Sequence, residues 1–236
     1  MLHYLLVILL VVPWTAISVT LVLLGKLLDR SGRLSHWFGR YWSWGVLKAS
    51  RMTLKIEGRD GIDPKSQYIF LANHTSAFDI PAVYWGVQNK LGMLAKKQLK
   101  YVPFFGWAMW AAGHFFVDRQ DHRKAIAVMD QVAELMSLDS EHSLVVFPEG
   151  TRSLDGQVKS FKKGAFVLAL KTGIPVVPII IKGAFEAKQK NENRVRATTI
   201  TLSFQDPVNP GDYSNATRQQ FLEDVHAIFV EHINHN

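Results

Sequence analysis

The chain contains no cysteine. Disulfide bonds, thiolate nucleophiles and cysteine-ligated zinc are therefore excluded, and the composition is compatible with a reducing compartment. The histidines lack zinc-type spacing, so no metal site is predicted. Internal repeats and low-complexity linkers are also missing, which favours one domain for a chain of 236 residues.

Acidic residues are fewer than basic ones, 20 against 27, and the formal net charge is +7. A basic surface favours anionic partners such as nucleic acid, phospholipid headgroups or phosphorylated small molecules, although solubility alone would also explain it. Neither a helix-turn-helix pattern nor an RRM-type aromatic signature is visible, so no nucleic-acid partner is predicted. The N-terminal sequence makes membrane lipid the better interpretation.

Residues 2–24 contain no Asp, Glu, Lys or Arg. About 20 apolar residues suffice to cross a bilayer, so a membrane anchor is predicted and a buried core helix is disfavoured. The first four residues lack the basic side chains that begin a secretory signal peptide. Pro13 would kink or divide a helix, which leaves open a kinked span or a shallow re-entrant pair of short helices. By the positive-inside rule, the basic residues that follow place that side in the cytoplasm: Lys26, Arg30, Arg33 and Arg40.

Residues 33–51 interleave aromatic and basic side chains, and three of the seven tryptophans lie in residues 37–44. Such a composition is typical of an interfacial helix, with an aromatic-rich core helix as the alternative. We therefore predict that residues 1–50 form a membrane-anchoring hydrophobic helix or two-helix motif. Residues 51–236 would form the second part of the molecule.

Strand-like apolar runs alternate with helical patterns in residues 51–236, which predicts an α/β domain. Strands are expected at residues 52–57, 69–72, 92–95, 115–117, 143–147, 174–181 and 198–204, and helices at 80–88, 122–136, 165–171 and 217–233. Two prolines favour an edge or strand-end position for residues 174–181. Residues 102–113 are apolar almost throughout and fit a fully buried helix, a wall for an acyl chain or a second membrane contact.

The most informative stretch is residues 68–81, where a strand-like run ends in Asn-His-Thr-Ser. His74 follows that run, and Ser76 with Asp79 resembles the start of a helix. An imidazole held in one tautomer by a carboxylate is the arrangement that general-base chemistry needs. A structural helix cap is the alternative.

Two further predicted strands also end in polar loops, and ligands of α/β sheets bind at such ends. Arg119 follows one strand, and Glu149, Gly150, Thr151 and Arg152 follow another. Glycine lets a backbone approach a ligand closely, while a hydroxyl and a guanidinium can bind a phosphate. Three lysines follow the second loop: Lys159, Lys162 and Lys163.

A general base beside a phosphate-binding loop predicts a phosphorylated alcohol as substrate. The alternatives are an ion pair of Arg119 with a carboxylate such as Asp118, an ordinary strand-to-loop turn, and a solvated lysine face.

Four segments together resemble, in order, the four motifs of 1-acylglycerol-3-phosphate acyltransferases. They are Asn-His-Thr-Ser-Ala-Phe-Asp at 73–79, Gly-His-Phe-Phe-Val-Asp-Arg at 113–119, Phe-Pro-Glu-Gly-Thr-Arg-Ser at 147–153 and Ile-Pro-Val-Val-Pro-Ile at 174–179. The resemblance covers residues 65–185, and no position that defines the motifs departs from the pattern.

The resemblance implies the glycerolipid acyltransferase fold, a single α/β domain with a mixed, largely parallel sheet flanked by helices. It also implies acyl transfer from acyl-CoA or acyl-carrier protein to the 2-hydroxyl of lysophosphatidic acid, giving phosphatidic acid without a cofactor. The compact form resembles bacterial members, so the expected location is the inner membrane, with the catalytic domain on the cytoplasmic face.

Residue roles follow from the same resemblance. His74 would be the general base and Asp79 its orienting partner, with direct attack on the thioester and no acyl-enzyme. The acceptor phosphate and glycerol would be held by Arg119, Glu149, Gly150, Thr151 and Arg152, with Glu149 positioning glycerol oxygens or its neighbours. The acyl-donor side would include Pro178, Lys159, Lys162 and Lys163.

Three other functions compete with this interpretation. The first is the same chemistry with glycerol 3-phosphate or a different lysophospholipid as acceptor. A non-catalytic, membrane-tethered lipid-binding protein is disfavoured by the intact His74 and Asp79. A phosphate-ester hydrolase would need a metal cluster or a nucleophile loop. We predict a monotopic or single-anchor acyltransferase, with an apolar channel from its site into the membrane.

Overall fold

The computed structural model describes residues 2–118 and 121–234. Its strands are β1 (Thr53–Glu57), β2 (Ile69–Ala72), β3 (Lys90–Lys96), β4 (Phe115–Val117), β5 (His142–Val146), β6 (Val176–Lys182) and β7 (Thr199–Phe204). Its α-helices are α1 (Leu2–Leu28), α2 (Arg33–Ala49), α3 (Asp79–Gly86), α4 (Phe105–Ala111), α5 (His122–Leu138), α6 (Gly164–Thr172), α7 (Ala184–Ala187) and α8 (Arg218–Asn234). Short 3₁₀ helices span Arg59–Gly61, Lys97–Tyr101 and Pro210–Asp212.

The strands form one sheet in the order β1-β7-β6-β2-β5-β3-β4. The pair β6–β7 is antiparallel, and the other neighbouring strands run parallel. The predicted mixed, largely parallel α/β sheet is therefore confirmed. Every residue of the central strands β2 and β5 is buried, because helices cover both faces of the sheet.

Alternate residues of each strand supply two separate cores, as the two-residue period of a strand requires. On one face, Phe70 and Val145 pack with residues of α2 and α3. On the other face, Ile69 and Leu144 pack with residues of α5, α6 and α8. The sheet is thus covered by helices on both sides, and its strand ends are left for loops.

Of the two positions predicted for residues 174–181, edge or strand end, the edge position is wrong. Strand β6 lies between β2 and β7, and Pro178 is opposite Leu71 of β2. On the β7 side the pairing begins at Ile179, one residue later, where Phe204 is its partner. Pro178 still accepts a hydrogen bond from the backbone N–H of Gln205. The proline therefore interrupts little of the ladder, because its missing N–H falls where the antiparallel pairing ends.

The N-terminal segment forms the expected apolar helix, and it is continuous, so the alternative of two short helices within residues 2–24 is excluded. Helix α1 includes Pro13, and it is long and apolar enough to cross a membrane. Helix α2 packs against it in the opposite direction. Three hydrogen bonds join the helices: from Trp14 Nε1 to the carbonyl of Trp42, from Trp42 Nε1 to the hydroxyl of Thr15, and from Ser35 Oγ to the carbonyl of Val22.

Residues 102–113 do not form a fully buried helix. Within α4, the small residues Ala108 and Ala111 are buried against Val22 of α1. The large residues Trp107 and Trp110 remain 56% and 67% exposed. The helix therefore has one packed face and one free aromatic face.

Candidate active site

Two loops meet at the carboxyl ends of β2 and β5. These strands pair in parallel, with Leu71 opposite Val146, so the residues that follow them emerge side by side. His74 comes from the first loop and Phe147 from the second. Their rings stack at a centroid distance of 4.3 Å, which holds the imidazole from one face.

The imidazole of His74 is also held by a carboxylate. Its Nδ1 atom lies 2.8 Å from Oδ2 of Asp79, a residue with no exposed surface. The same oxygen accepts the backbone N–H groups of Thr75 at 2.7 Å and Ser76 at 2.8 Å. Because that oxygen acts as an acceptor, Nδ1 carries a proton, and in the neutral imidazole Nε2 then has the lone pair. This is the tautomer that a general base requires.

Ser76 is not the helix cap that the sequence suggested. Helix α3 begins at Asp79, and its N-cap residue Phe78 has no side-chain cap. The Ser76 hydroxyl instead donates to the carbonyl of Lys188 at 2.8 Å. Asp79 therefore binds the histidine and also accepts backbone donors of the loop before the helix.

Asn73 fastens the start of the same loop to β6. Its side-chain amide donates to the carbonyl of Ile181 at 2.9 Å, and its side-chain oxygen accepts the N–H of Ile181 at 2.7 Å. Both groups of the side chain are thus satisfied in a buried position. The residue before the histidine is fixed as firmly as a paired strand residue would be.

Glu149 lies behind His74. Its Oε1 atom accepts the backbone N–H of His74 at 2.9 Å, while the carbonyl of His74 accepts the N–H of Ser153 at 2.7 Å. The carboxyl group is 5% exposed, and burial raises its pKa to about 7. Backbone donors oppose that rise but do not cancel it. Glu149 therefore connects the two loops and does not line the cavity described below.

The loop after Glu149 has a conformation that depends on glycine. Gly150 has φ of 72°, and a Cβ atom there would lie 2.8 Å from Cε of Lys162. The hydroxyl of Thr151 accepts a hydrogen bond from Nζ of Lys190 at 3.2 Å, and the carbonyl of Arg152 accepts one from Nζ of Lys159 at 3.2 Å. Several cations therefore surround this loop, as an anion-binding loop requires.

The remaining predicted site residues have different positions. Arg119 lies outside the described residues. Pro178 is buried within the sheet and does not line the cavity described below, so direct contact with an acyl donor has no support there. Lys163 is the exposed residue before α6.

A cavity of about 400 Å³ begins beside His74 and extends to helix α1. Its volume lies in the range that ligand pockets occupy. Arg152 lines it together with His74, and most of its other lining residues are apolar. Several elements besides α1 contribute: Gly39 and Trp42 from α2, Ala77, Ile80 and Tyr84 from the first loop and α3, Met93, Leu94 and Ala95 from β3, and Phe105, Ala108 and Met109 from α4.

Several lining residues carried no functional signal in the sequence. The cavity is lined by four residues of α1, although the sequence of that segment predicts only a membrane anchor: Thr15, Ser18, Val19 and Val22. Lys96 and His114 also line it, and burial lowers the pKa of His114 to about 4, so its imidazole is neutral at pH 7. Of these residues only His114 belongs to one of the four motifs, and the resemblance implies no role for that position.

Among residues 2–118 and 121–234, no group of three or more His, Asp or Glu side chains is placed to hold a metal ion. The described side chains offer instead a base, an orienting carboxylate, cations beside a glycine-containing loop and an apolar cavity. Together they can remove a proton from a hydroxyl group of an anionic, lipid-like molecule.

Comparisons with known proteins agree with this chemistry. The family described as Acyltransferase matches residues 53–182. A 1-acyl-sn-glycerol-3-phosphate acyltransferase of Cocos nucifera is 33% identical over 205 residues, which make up 86% of this chain and 64% of that protein, so the chain spans slightly less than two thirds of this relative. A protein of the same name from Haemophilus influenzae is 29% identical over 86% of this chain and 81% of its own length.

A solved structure is similar over the whole chain. The crystal structure of the 1-acyl-sn-glycerophosphate (LPA) acyltransferase from Thermotoga maritima matches with a TM-score of 0.84 and 25% identity. The match covers 100% of this chain and 96% of that one.

Proposed function

Because the chain belongs to the acyltransferase family, with 1-acyl-sn-glycerol-3-phosphate acyltransferases among its relatives, we propose that it acylates the sn-2 hydroxyl of 1-acyl-sn-glycerol 3-phosphate. The acyl donor is acyl-CoA or acyl-carrier protein, and the product is phosphatidic acid. The observation that carries the proposal is the buried Asp79 bound to Nδ1 of His74 at the wall of an apolar cavity.

In the proposed reaction, Nε2 of His74 takes the proton of the acceptor hydroxyl. The resulting oxygen attacks the carbonyl carbon of the thioester, and a new C–O bond forms. The tetrahedral intermediate collapses with cleavage of the C–S bond, and the departing thiolate takes the proton from the imidazolium. Asp79 stabilises the imidazolium between these two steps, and no covalent acyl-enzyme is needed.

We assign the acceptor phosphate to the loop that follows β5. Arg152 lines the cavity and presents a guanidinium, which suits a phosphate better than an ammonium group because it can donate two parallel hydrogen bonds. Gly150 and Thr151 lie next to it, and Arg119 would be a further donor. Glu149 acts as a positioning residue, because its carboxyl group binds the backbone of His74.

We further propose that residues 1–50 attach the protein to the cytoplasmic face of a bacterial inner membrane without crossing it. Helix α1 contacts the α/β domain near its start and again toward its end. The ammonium of Lys188 lies 5.9 Å from the ring centroid of Tyr4, Val7 is buried in the core, and Val22 packs on α4. A helix bound in this way would lie beside the domain at the membrane surface, and the cavity that it lines would open toward lipid.

The proposal is tested with purified protein in detergent, long-chain acyl-CoA and lysophosphatidic acid, by measuring the release of free thiol. His74→Ala is assayed beside the wild type, and its thermal unfolding is recorded to show that it is folded. We expect acceptor-dependent release that falls at least about 100-fold in the variant. Release that persists in folded His74→Ala would remove the base assignment.

If the wild type releases no thiol with acyl-CoA, the assay is repeated with acyl-carrier protein as donor. It is also repeated with glycerol 3-phosphate and other lysophospholipids as acceptors. Activity with one of these would correct the donor or the acceptor. Inactivity with all of them would favour a lipid-binding protein.

A further inference from the structure

The segment that forms one wall of the cavity also carries a group of exposed aromatic side chains on its other side. Tyr101, Phe104, Trp107 and Trp110, named here the aromatic edge, are 68%, 61%, 56% and 67% exposed. Single exposed apolar residues are common on protein surfaces. Four large aromatic side chains within ten residues, none of them packed into the core, require an explanation.

The aromatic edge continues the exposed apolar face of α1. Helix α4 packs on α1 through Ala108 and Ala111, which contact the region of Val22. Small residues thus face α1, and the tryptophans face away from the core. Farther along α1, Leu24 is 47% exposed, and Leu27 and Leu28 are 78% and 81% exposed. The two helices therefore present apolar side chains to the same surroundings.

Cations adjoin the aromatic edge. Tyr101 and Trp110 line a second, open cavity of about 1030 Å³, and basic side chains near the end of α1 and before α4 line it with them. These are Lys26, Arg30, Lys97 and Lys100, of which Lys97 forms an ion pair with Asp118 at 3.3 Å. Aromatic rings beside lysine and arginine are the combination that favours the headgroup region of a membrane with anionic lipid.

The backbone at Phe104 supports the same conclusion. Its φ of 61° and ψ of −48° are unusual for a residue with a side chain, and such conformations cost about 1–3 kcal/mol. The strained residue keeps a large apolar ring 61% exposed, in edge-on contact with Trp107 at 5.2 Å. Burial within the folded chain does not repay this cost, whereas burial in lipid would.

We propose that the aromatic edge inserts into the interface of an anionic bilayer and forms a membrane contact separate from α1 and α2. The inference rests on the membrane attachment proposed above. The inner side of the same segment lines the cavity through Leu99, Phe105 and Met109. Insertion would therefore place the cavity wall against lipid and fix the orientation of the domain relative to the membrane.

Because α1 alone would hold the protein on a membrane, the test measures depth and not affinity. The chain has no cysteine, so single cysteines can carry a nitroxide spin label. Labels at Tyr101→Cys and Trp110→Cys are compared with one at Leu9→Cys on α1 and one at Ala227→Cys, an exposed position on α8. The full-length protein is bound to vesicles of phosphatidylcholine and phosphatidylglycerol, and collisions with oxygen and with a water-soluble nickel chelate are measured.

We expect the labels at positions 101 and 110 to behave like the label at Leu9: they should collide often with oxygen and rarely with the nickel chelate. The label at Ala227 should collide freely with the nickel chelate. Nickel accessibility at 101 and 110 equal to that at Ala227, with Leu9 protected, would overturn the inference. Protection that arises only on addition of acyl-carrier protein would also overturn it, because the surface would then belong to that partner.

The thiol-release assay on the same vesicles separates this inference from the proposed function. Active protein with a water-exposed aromatic edge would overturn the inference alone, and inactive protein with a protected edge would overturn the acyltransferase assignment alone. As a second measurement, Trp107→Ser/Trp110→Ser should lose about tenfold in activity on vesicle-bound acceptor and little in detergent. Equal activity of variant and wild type on vesicles would contradict insertion.

Discussion

The backbone N–H of His74 donates to Oε1 of Glu149 over 2.9 Å, so one buried carboxyl group joins loops that follow two different strands. Burial raises the pKa of this carboxyl from 4.5 to about 7. At pH values between these two, the folded protein therefore holds a proton that the unfolded chain has lost. Stability must then fall as the pH rises through this range.

Glu149→Gln should remove this pH dependence, because the amide keeps an acceptor oxygen and cannot ionise. The difference between 4.5 and about 7 corresponds to at most about 3 kcal/mol, so the variant should gain up to that amount relative to wild type between pH 4.5 and pH 8. Urea unfolding in detergent at both pH values measures the gain, with exposed Glu231→Gln as control. An identical pH dependence in wild type and Glu149→Gln would contradict the raised pKa.

Asp79→Asn should lower kcat by about 100-fold or more, because the amide can present an N–H to Nδ1 of His74 and thereby favour the wrong tautomer. The KM for the acceptor should change little, since Asp79 is buried behind the histidine. Steady-state kinetics check both parameters. Because Asp79 also accepts backbone hydrogen bonds, thermal unfolding must show that the variant is folded. Exposed Asp63→Asn is the control for that measurement. A kcat within a few-fold of wild type would rule out an orienting role.

Arg152→Ala should weaken acceptor binding, because a hydrogen bond to a charged group contributes about 1.5–3 kcal/mol. The value of kcat/KM for lysophosphatidic acid should fall about 10- to 100-fold, while the KM for the acyl donor changes little. Arg194→Ala, which removes an exposed arginine that does not line the cavity, is the matched control. Equal losses in the two variants would point to a general effect of surface charge.

Ala108→Leu should shift the preference toward shorter acyl chains, because the new side chain would enter the cavity. Each methylene that no longer fits should cost about 0.8 kcal/mol, or about fourfold in kcat/KM. Series of acyl donors and of acceptors of increasing chain length measure the shift. Ala111→Leu is the control, because Ala111 is buried in the same helix but does not line that cavity. Unchanged preferences in Ala108→Leu for both series would place the acyl chains elsewhere.

Gly45→Ala should destabilise the packing of α2 on α1, because an added Cβ would overlap the indole ring of Trp14. Overpacking of this kind costs about 1–3 kcal/mol, more than the helix gains from alanine. Thermal unfolding should show a lower Tm for Gly45→Ala and little change for Gly61→Ala, where a Cβ would meet open space. A Tm of Gly45→Ala at or above that of wild type would contradict tight packing of Gly45 against Trp14.

Much of the fold could be predicted because its strands are short apolar runs between polar loops. Ile69, Leu144 and Val177 lie in buried strands for that reason, and the family resemblance drawn from the four motifs is confirmed. The interior position of Pro178 could not be predicted, because the place where β7 stops pairing depends on tertiary structure. The same holds for α4, whose uniform apolar sequence gives no indication of which side is packed.

The pairing of His74 with Asp79 could be predicted from their spacing, because five residues place a strand end and the next helix start within reach. The bond between the backbone of His74 and Glu149 joins residues 75 positions apart and leaves no local pattern. The cavity wall formed by Val19 and Val22 likewise could not be predicted, because an apolar side chain in α1 can contact lipid, the protein core or a ligand equally well.

The strand order also has a consequence for biosynthesis. Strand β1 is made first but lies at the edge of the sheet, beside β7, which begins at Thr199. At ordinary translation rates, on the order of 10 s separates the synthesis of these two strands. During that interval α1 has already left the ribosome, while β1 has no partner strand because β7 has not yet been synthesised. A nascent chain that reaches the membrane early would thus be attached there before its catalytic sheet is complete.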